Sequence, residues 1–487
     1  MFSFFKKRRL YRDFVRGFTD FKTEKLDFEL TPGRGYVKKL LQAAPGEVVV
    51  RLPLQTGGEL PFTQTLLSRH MYVQGSIGSG KTTLLKLILS DLMKRGKGKI
   101  IAFDPKGDFL RLARSSGVPY VVVSEDENLE PVGWNIFKEI LGNEKPVLPE
   151  EPSFRRFMEL NPAVAMRIRR VSKTLIWSCA SMTSGEKQDP YFSHNAPASV
   201  FEGILGVTVM DALVKERGER SFFGRRLSEL DNTIMAEVPF LSHEEMTMLL
   251  SNYQASSALE HIKADSGQTQ GVLSFLKMYL SEVFSLSFSK RSEWCITSEL
   301  HDPAFRVVLL EYRHDNEKVS LPIFTAILST LFGEVLSTKL REKEIYVILD
   351  ELHVLPKTDG FQTFLNMTRD LGGKVIAATQ SVAQLYDKYG EQEAKAIISA
   401  FNTRVFLRTT DKLSLELVTE TIGKLPIKKT ETSYGATKTV QKTTEFRELS
   451  SRSMSTLPPG VGLFWTSGCE PVLCAFANRK KEEGGGR

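Results

Sequence analysis

The sequence predicts an α/β fold in which a mostly parallel central sheet is interrupted by an inserted all-α domain. Short apolar runs closed by polar residues alternate with helical periodicities over residues 46–150 and again over 296–487, as expected for strand–helix units of a parallel sheet. Over 151–295 helical spacings dominate and strand-like runs vanish. A chain of 487 residues can hold two or three domains and bury a core without disulfides.

A glycine-rich stretch lies at residues 70–86, HMYVQGSIGSGKTTLLK. A short apolar run is followed by G-x-x-x-x-G-K-T and then directly by a helical pattern, which is the context that a phosphate-binding P-loop requires. The glycines let backbone N–H groups face an anion, Lys81 reaches the β- and γ-phosphates, and Thr82 offers a hydroxyl to Mg²⁺. The predicted nucleotide-binding residues are Gly75, Gly78, Ser79, Gly80, Lys81, Thr82 and Thr83.

An acidic pair closes a later apolar strand, EIYVILDEL at residues 344–352. In P-loop NTPases the first carboxylate of such a pair holds Mg²⁺, and the second polarises the attacking water. The pair therefore predicts Asp350 as a metal ligand, Glu351 as a catalytic base, and ATP with Mg²⁺ as cofactors. Gln380 ends the next strand, where an amide can sense the γ-phosphate; the alternative is an ordinary polar residue at a strand end.

Charged residues also follow the strand at residues 99–104, where the loop DPKGD begins another helix. In α/β folds, ligands bind at the edge where the carboxyl ends of the parallel strands meet. Asp104 and Lys106 are therefore candidates for the nucleotide edge, with an ordinary turn and helix cap as the alternative.

Charge and cysteine content narrow the possible classes of protein. The chain has 65 Lys and Arg against 58 Asp and Glu, a net charge of +7, which permits nucleic acid as a partner without requiring it. The four cysteines are scattered, and no His lies near Cys469 and Cys474 to complete a zinc site. We therefore expect reduced thiols and no disulfide framework.

Two segments have an unusual composition. Residues 1–45 are predicted to be a basic arm that begins MFSFFKKRRLYRDF and either lies on an anionic membrane or DNA, or is a solvated terminus. Residues 425–450 are rich in Thr and Lys, and we expect a surface loop there, either solvated or in contact with nucleic acid or a partner.

No membrane span is predicted, because the longest uncharged run, 319–333, has only about 15 residues and suits a core helix starting near Pro322.

Several short elements, in this order, resemble the conjugative coupling proteins of type IV secretion (the TraD/TrwB type), which are ring-forming ATPases of the FtsK/HerA group. The resemblance implies a RecA-like P-loop NTPase domain with an inserted all-α domain, and it covers most of residues 50–476. The P-loop and the acidic pair are generic, whereas the other elements are more specific. The matching elements are GGELP, the P-loop, AFDPKGDF, GWNIF, DPYFSHNA, VILDEL and IAATQS.

The resemblance also implies roles for single residues. The family supplies an arginine in trans from the helix before the sensor strand, a place that Arg369 occupies here, and Arg404 is the reserve candidate. Because such an arginine crosses a subunit interface, the resemblance implies a homo-hexameric ring. The implied catalytic residues are Glu351, Gln380, Arg369 and Arg404, with Thr82 and Asp350 at the metal.

The function that the resemblance implies is ATP-driven translocation of single-stranded DNA, without sequence specificity, that links a relaxase–DNA complex to a type IV secretion channel. The family usually begins with two membrane-spanning helices, and here a basic, aromatic arm stands in their place. We therefore expect a cytoplasmic protein at the inner membrane face, held peripherally or through a partner. The alternatives are another FtsK/HerA-like DNA motor, or a nucleotide-gated adaptor that recruits protein substrates.

Overall fold

The computed structural model describes residues 24–26, 32–183, 189–264, 266–337, 340, 343–358, 360–434, 438–448 and 451–477. The first strands are β1 (Glu24–Leu26), β2 (Val48–Pro53), β3 (Glu59–Thr63), β4 (Met71–Gln74), β5 (Lys99–Phe103) and β6 (Tyr120–Val123). The first helices are α1 (Arg34–Ala43), α2 (Gln64–Leu67), α3 (Lys81–Arg95), α4 (Asp108–Ser116) and α5 (Ile136–Leu141). The P-loop thus joins β4 to α3, and the loop DPKGD joins β5 to α4.

Every described element between β6 and the strand β7 (Val307–Leu310) is helical. After α5, these helices are α6 (Phe154–Leu160), α7 (Pro162–Thr183), α8 (Ala196–Glu216), α9 (Asn232–Glu237), α10 (His243–Asn252), α11 (Ser256–Ile262), α12 (Gly267–Val283) and α13 (Ile296–His301), with a few single turns between them. The expected all-α insertion therefore lies between two neighbouring strands of the sheet.

Strands and helices alternate again after β7. The remaining strands are β8 (Ile345–Leu349), β9 (Gly373–Thr379), β10 (Thr403–Phe406), β11 (Lys424–Tyr434), β12 (Lys438–Glu448), β13 (Val461–Thr466) and β14 (Val472–Ala475). The remaining helices are α14 (Glu317–Leu336), α15 (Phe361–Met367), α16 (Val382–Tyr389), α17 (Glu391–Ala400), α18 (Lys412–Ile422) and α19 (Ser451–Ser455).

The central sheet has nine strands in the order β14-β13-β10-β4-β9-β8-β5-β7-β6. All neighbours from β10 to β6 pair in parallel, and β13 and β14 are antiparallel at one edge. Alternate residues of β8 enter two different apolar cores: Ile345, Val347 and Leu349 join the core shared with the helical region, and Tyr346 and Ile348 join the core beneath α3 and α4. Burial on both faces accounts for the continuous apolar run, and the predicted fold class is confirmed.

The two connections between the sheet and the helical region run side by side. They form a parallel bridge between Trp134 and Trp294, and Glu139 links them. Its carboxylate accepts hydrogen bonds from Trp134 Nε1 at 2.9 Å, from the Ile296 and Thr297 backbone N–H groups at 3.0 and 3.1 Å, and from Thr297 Oγ1 at 2.8 Å. Burial raises the pKa of Glu139, while these donors oppose the rise. The carboxylate thus joins the entry of the insertion to its exit.

Two described helices are long and apolar enough to cross a membrane by length and composition alone, Tyr191–Glu216 and His314–Leu336. In both, 89% of the apolar window is buried inside the fold, and both pack against α7. The second contains the uncharged run 319–333, but its α-helical part begins at Glu317 rather than near Pro322. Helix formation can precede the proline because its missing N–H leaves only one carbonyl, in the first turn, without a helical partner.

The segment 425–450 differs from the prediction of a loop. β11 and β12 pair antiparallel from Lys424 opposite Glu448 to Tyr434 opposite Lys438, and β1 pairs with β11. β-branched residues recur along both strands, Ile and Thr in β11 and Thr and Val in β12, and they favour extended backbone over a loop. Residues 1–23 of the predicted arm lie outside the described residues, and 34–43 form α1. The boundaries of the four predicted regions, 1–45, 46–150, 151–295 and 296–487, stay predictions.

We expect Glu139→Ala to lower the free energy of unfolding by about 3 kcal/mol or more, because it leaves several buried donors without an acceptor. Urea denaturation of the variant and of Glu150→Ala, which removes an exposed carboxylate, measures the difference. Equal unfolding midpoints for the two variants would contradict the role given to Glu139.

Candidate nucleotide-binding site

The loop between β4 and α3 has a backbone that only glycine adopts easily. Gly78 and Gly80 have φ angles of 68° and 106°, in the left-handed region that disfavours larger residues. A Cβ on Gly80 would also lie 2.8 Å from the backbone nitrogen of Gly460, and one on Gly75 would lie 2.6 Å from Ser79 Oγ. Glycine is therefore required at these positions, because the loop packs closely against the turn before β13 and against itself.

Polar side chains of the loop are buried and incompletely satisfied. Lys81 Nζ donates to the carbonyls of Gly75 at 2.6 Å and Ser76 at 3.4 Å, and burial lowers the pKa of Lys81 although the charges of Glu351 and Asp350 raise it. Ser79 Oγ is buried without a hydrogen-bond partner among the described residues. A buried ammonium at the start of α3, beside an unpartnered hydroxyl, fits a phosphate group.

Thr82 contacts the acidic pair across 268 residues of sequence: its Oγ1 donates to Asp350 Oδ2 at 3.0 Å. The Asp350 side chain is buried, and Oδ1 has no hydrogen-bond partner among the described residues. Burial, and then the charge of Glu351, raise the pKa of Asp350 to about 6. An uncompensated carboxylate oxygen beside a hydroxyl is the kind of oxygen donor set that Mg²⁺ takes next to a phosphate.

Glu351 lies two residues beyond the end of β8 and has a φ of 71°, in the left-handed region. This conformation is costly for a non-glycine residue, and such conformations cluster at functional sites. Its Oε1 accepts hydrogen bonds from Lys106 Nζ at 2.8 Å and from Gln380 Nε2 at 2.6 Å. Burial favours the neutral acid, but these two donors outweigh it and lower the pKa of Glu351. Oε2 has no hydrogen bond within the described residues, and His353 Nδ1 lies 3.5 Å from it.

The loop after β5 places its two candidates differently. Lys106 reaches Glu351, whereas Asp104 caps α4: its carboxylate accepts from the backbone N–H groups of Asp108, Phe109 and Leu110 at 2.8 to 2.9 Å. Asp104 is therefore a helix cap, the alternative given above to a place at the nucleotide edge. Lys106 belongs to the cluster around the acidic pair.

The two candidate arginines lie away from this cluster. Arg369 is exposed in a single turn just before β9, at the edge opposite Gln380 and close enough to Arg69 to lower the pKa of Arg69 after burial does. Arg404 donates to Phe401 O at 3.0 Å, Thr421 Oγ1 at 2.6 Å and Ile398 O at 3.1 Å. Arg404 therefore joins α17 and α18 to the sheet.

Arg408 was not predicted as a site residue, although it follows β10, the neighbour of β4, at the same edge of the sheet. Its carbonyl accepts a hydrogen bond from the Ser76 backbone N–H at 2.8 Å, and its Nη2 donates to Ile77 O at 3.4 Å. The signal that indicates it is its place two residues beyond a strand adjacent to the P-loop strand. Thr83, in the first turn of α3, is half-buried.

Glu311 directly follows β7, at the edge of the sheet where Asp350 and Glu351 lie. Its Oε2 has no hydrogen-bond partner within the described part of the chain. Burial, and then the charge of Asp104, raise the pKa of Glu311 to about 7. Because this value lies above the roughly 4.3 of an unfolded glutamate, ionised Glu311 destabilises the fold increasingly as the pH rises from about 4.3 through 7.

We therefore expect Glu311→Gln to raise the free energy of unfolding at pH 8, by an amount on the order of 1 kcal/mol, and to raise it less at pH 5. Urea denaturation at the two pH values measures both differences. A gain that is equal at both pH values, or a loss at pH 8, would contradict the pKa assigned to Glu311.

The sheet, the glycine loop and the acidic pair together define a RecA-like P-loop NTPase fold. The model of the family described as "Type IV secretion-system coupling protein DNA-binding domain" matches residues 182–456, more than half of the chain, and that of "Helicase HerA, central domain" matches 60–157. The chain therefore belongs to the type IV secretion-system coupling protein family, and the predicted resemblance is confirmed.

Similar proteins include one curated relative and two solved structures. The coupling protein TraD of Escherichia coli K12 is 24% identical over 393 residues, 78% of this chain and 47% of TraD, so the chain spans about half of that relative. The bacterial conjugative coupling protein TrwBdeltaN70, unbound, has a TM-score of 0.66 at 18% identity, with 94% and 95% of the two chains covered. The plasmid coupling protein TrwB with ADP and Mg²⁺ has a TM-score of 0.63 at 17% identity, with 91% and 93% covered. These structural likenesses support the fold.

Proposed function

We propose that this chain is an ATP-driven motor that moves single-stranded DNA and couples a relaxase–DNA complex to a type IV secretion channel. The observation that carries the proposal is the contact between Thr82 Oγ1 and Asp350 Oδ2 at 3.0 Å, which unites the phosphate loop and the acidic pair in one site. Membership of a family described as a DNA-binding domain supports the substrate.

The residues of the site fit a magnesium nucleotide. Ser79 Oγ, Asp350 Oδ1 and Glu351 Oε2 have no hydrogen-bond partner in the described part of the chain and are buried at the point where phosphates and a cation would lie. The similar protein TrwB was solved with ADP and Mg²⁺. In our proposal Thr82 and Asp350 hold Mg²⁺, whose charge offsets that of the β- and γ-phosphates.

The other side chains have distinct roles in the proposed hydrolysis. Lys81 binds the phosphates, and Glu351, kept ionised by its two donors, accepts the proton of the attacking water. Gln380 orients that water, and its hydrogen bond to Glu351 holds the base in position. Lys106 stabilises the negative charge of Glu351 until the proton arrives.

The position of Arg369 supports a site completed by a second subunit. Arg369 is exposed at the edge of the sheet opposite the P-loop, so it cannot reach the phosphates of its own chain but can face those of a neighbour. We therefore propose Arg369 as the arginine supplied in trans within a homo-hexameric ring. Arg404 is the weaker candidate, because its guanidinium is held by three acceptors of its own chain.

The proposed partners follow from the family. The helical insertion would meet the relaxase complex, and the ring would stand at the cytoplasmic face of the inner membrane, in contact with components of the channel. The match of residues 60–157 to the central domain of helicase HerA favours a second candidate, another HerA-like DNA motor. Co-purification with a relaxase separates the two, because only the coupling protein should retain it.

We expect Lys81→Ala to lower ATP turnover by at least about 100-fold, since it removes a charge that stabilises the transferring phosphate. Lys94→Ala, an exposed lysine of the same helix α3, is the matched control and should keep wild-type turnover. The assay is steady-state phosphate release with and without single-stranded DNA. A Lys81→Ala variant with more than about a tenth of wild-type turnover would contradict its role, and wild-type turnover unaffected by DNA would favour the adaptor.

Mixed rings test the role of Arg369. We expect Arg369→Ala alone to lose about 1,000-fold or more in turnover and Lys81→Ala alone to be inactive. A mixture of the two variants should regain activity, because some interfaces then pair an intact Lys81 with an intact Arg369. Phosphate release measured across mixing ratios should therefore peak near equal amounts. Absence of any recovery in verified mixed rings would contradict an arginine supplied in trans.

A further inference from the structure

A cleft outside the nucleotide site lies between helix α7 and the segment that follows the acidic pair. Its volume is about 340 Å³. One wall belongs to the helical insertion, and the other consists of Lys357, Thr358, the start of α15 and Glu393 of α17. Side chains of both walls that carry charge, an aromatic face or hydrogen-bonding groups are Lys173, Thr174, Trp177, Lys357, Thr358, Phe361, Gln362, Thr363 and Glu393. We call it the α7 cleft.

The α7 wall presents an exposed stripe of basic and large apolar residues. Met166, Arg169, Lys173 and Trp177 are exposed at helical spacing, although Trp177 belongs to a residue type that is usually buried. The opposite face of α7 is fixed in the core, where Arg167 forms a buried ion pair with Glu334 at 2.9 Å. The stripe is therefore carried by a rigid element, which suits a binding surface.

The exposed indole of Trp177 is oriented by two neighbouring side chains. The Trp177 side chain is 43% exposed, Lys173 Nζ lies 5.5 Å from its ring centre, and the His194 ring meets it edge-on at 5.4 Å. These two neighbours restrict the orientation of the indole, so less side-chain entropy remains to be lost when a ligand stacks on it.

The second wall adds a lysine–glutamate ion pair and polar groups. Lys357 Nζ is positioned by Glu393 Oε2 at 2.9 Å and by the Tyr389 carbonyl at 3.0 Å. Gln362 and Thr363 offer an exposed amide and hydroxyl at the start of α15. The ligand that matches these walls is anionic, has a flat π face and carries hydrogen-bonding groups.

We propose that the α7 cleft binds single-stranded DNA, with one base stacked on Trp177 and the adjoining phosphates near Lys173 and Lys357. The proposal rests on the function proposed above, since it assigns a place on the chain to the DNA. A duplex does not satisfy the cleft, because its bases are already stacked on each other, whereas an unpaired base offers its face to an aromatic side chain. The described lining has two lysines and one carboxylate, that of Glu393, so an excess of positive charge is left for the phosphates, which are bound without reading sequence.

A short segment of the chain connects the cleft to the nucleotide site. Lys357 follows Glu351 closely in the sequence, and between them Leu352 and Leu355 are buried. A strand bound against the second wall would thus contact the segment that positions the catalytic base.

The test uses the full chain and the oligonucleotide dT30, with binding measured by fluorescence anisotropy between 50 and 200 mM salt. Trp177→Leu should weaken binding at least about fivefold, the lower bound for loss of one base–aromatic stack, and Trp177→Tyr should restore most of it. Lys173→Gln should make the slope of log affinity against log salt shallower by about 0.7. Phe240→Leu, which alters a residue 85% exposed elsewhere in the insertion, is the control and should bind as the wild type does.

Four results would overturn the assignment. Binding of dT30 by Trp177→Leu within twofold of the wild type would place the strand elsewhere, and an equal loss for a 30-base-pair duplex would rule out stacking. If Trp177→Leu bound dT30 more weakly and also formed a smaller oligomer than the wild type in sedimentation velocity, the cleft would be a contact between subunits. Absence of dT30 binding by the wild type would remove the DNA function itself, which distinguishes failure of the proposed function from failure of this site.

Discussion

The hydrogen bond between Thr82 and Asp350 is the contact on which the rest of the site depends. The two residues are 268 positions apart, and only the order of the sheet brings them together. β9 lies between β4 and β8, so the strand that precedes Gln380 separates the phosphate loop from the acidic pair by one strand width. Gln380 is thereby placed within 2.6 Å of Glu351, and a change in strand order would take both contacts apart.

The energetic cost of this arrangement, the burial of charged carboxylates, is concentrated at one edge of the sheet. Asp350, Glu351 and Glu311 follow parallel strands there, and burial raises the pKa of Asp350 and Glu311 because it disfavours their charged forms. Lys106 and Gln380 keep Glu351 ionised despite the same burial. The helical insertion follows the end of β6 at this edge and rejoins the sheet at the opposite edge, where β7 begins. Apolar residues of the insertion and of β8 belong to one core, so the insertion and the strand that carries the acidic pair are packed together.

The parts that could be predicted from sequence are those in which local chemistry determines the structure. The glycine loop and the apolar strands were predictable because closely spaced glycines and continuous apolar runs are compatible with few backbone arrangements. Lys106 could be predicted as a candidate for the nucleotide edge but its contact with Glu351 could not, and Arg408 was not predicted, since the contacts of both depend on which strands become neighbours. The strands over 424–434 and 438–448 were missed because their polar composition resembles that of a loop, while their β-branched residues favour pairing.

The central claim is that Thr82 and Asp350 hold one magnesium ion against one nucleotide. A double-mutant cycle with Thr82→Ala and Asp350→Asn, read by calorimetric titration of ADP with and without Mg²⁺, tests it most directly. We expect a coupling energy of about 1 kcal/mol or more in Mg²⁺ that falls below about 0.5 kcal/mol in EDTA, because the two side chains then no longer share a ligand. Additive effects in Mg²⁺, or a wild-type chain that binds no nucleotide, would contradict the account.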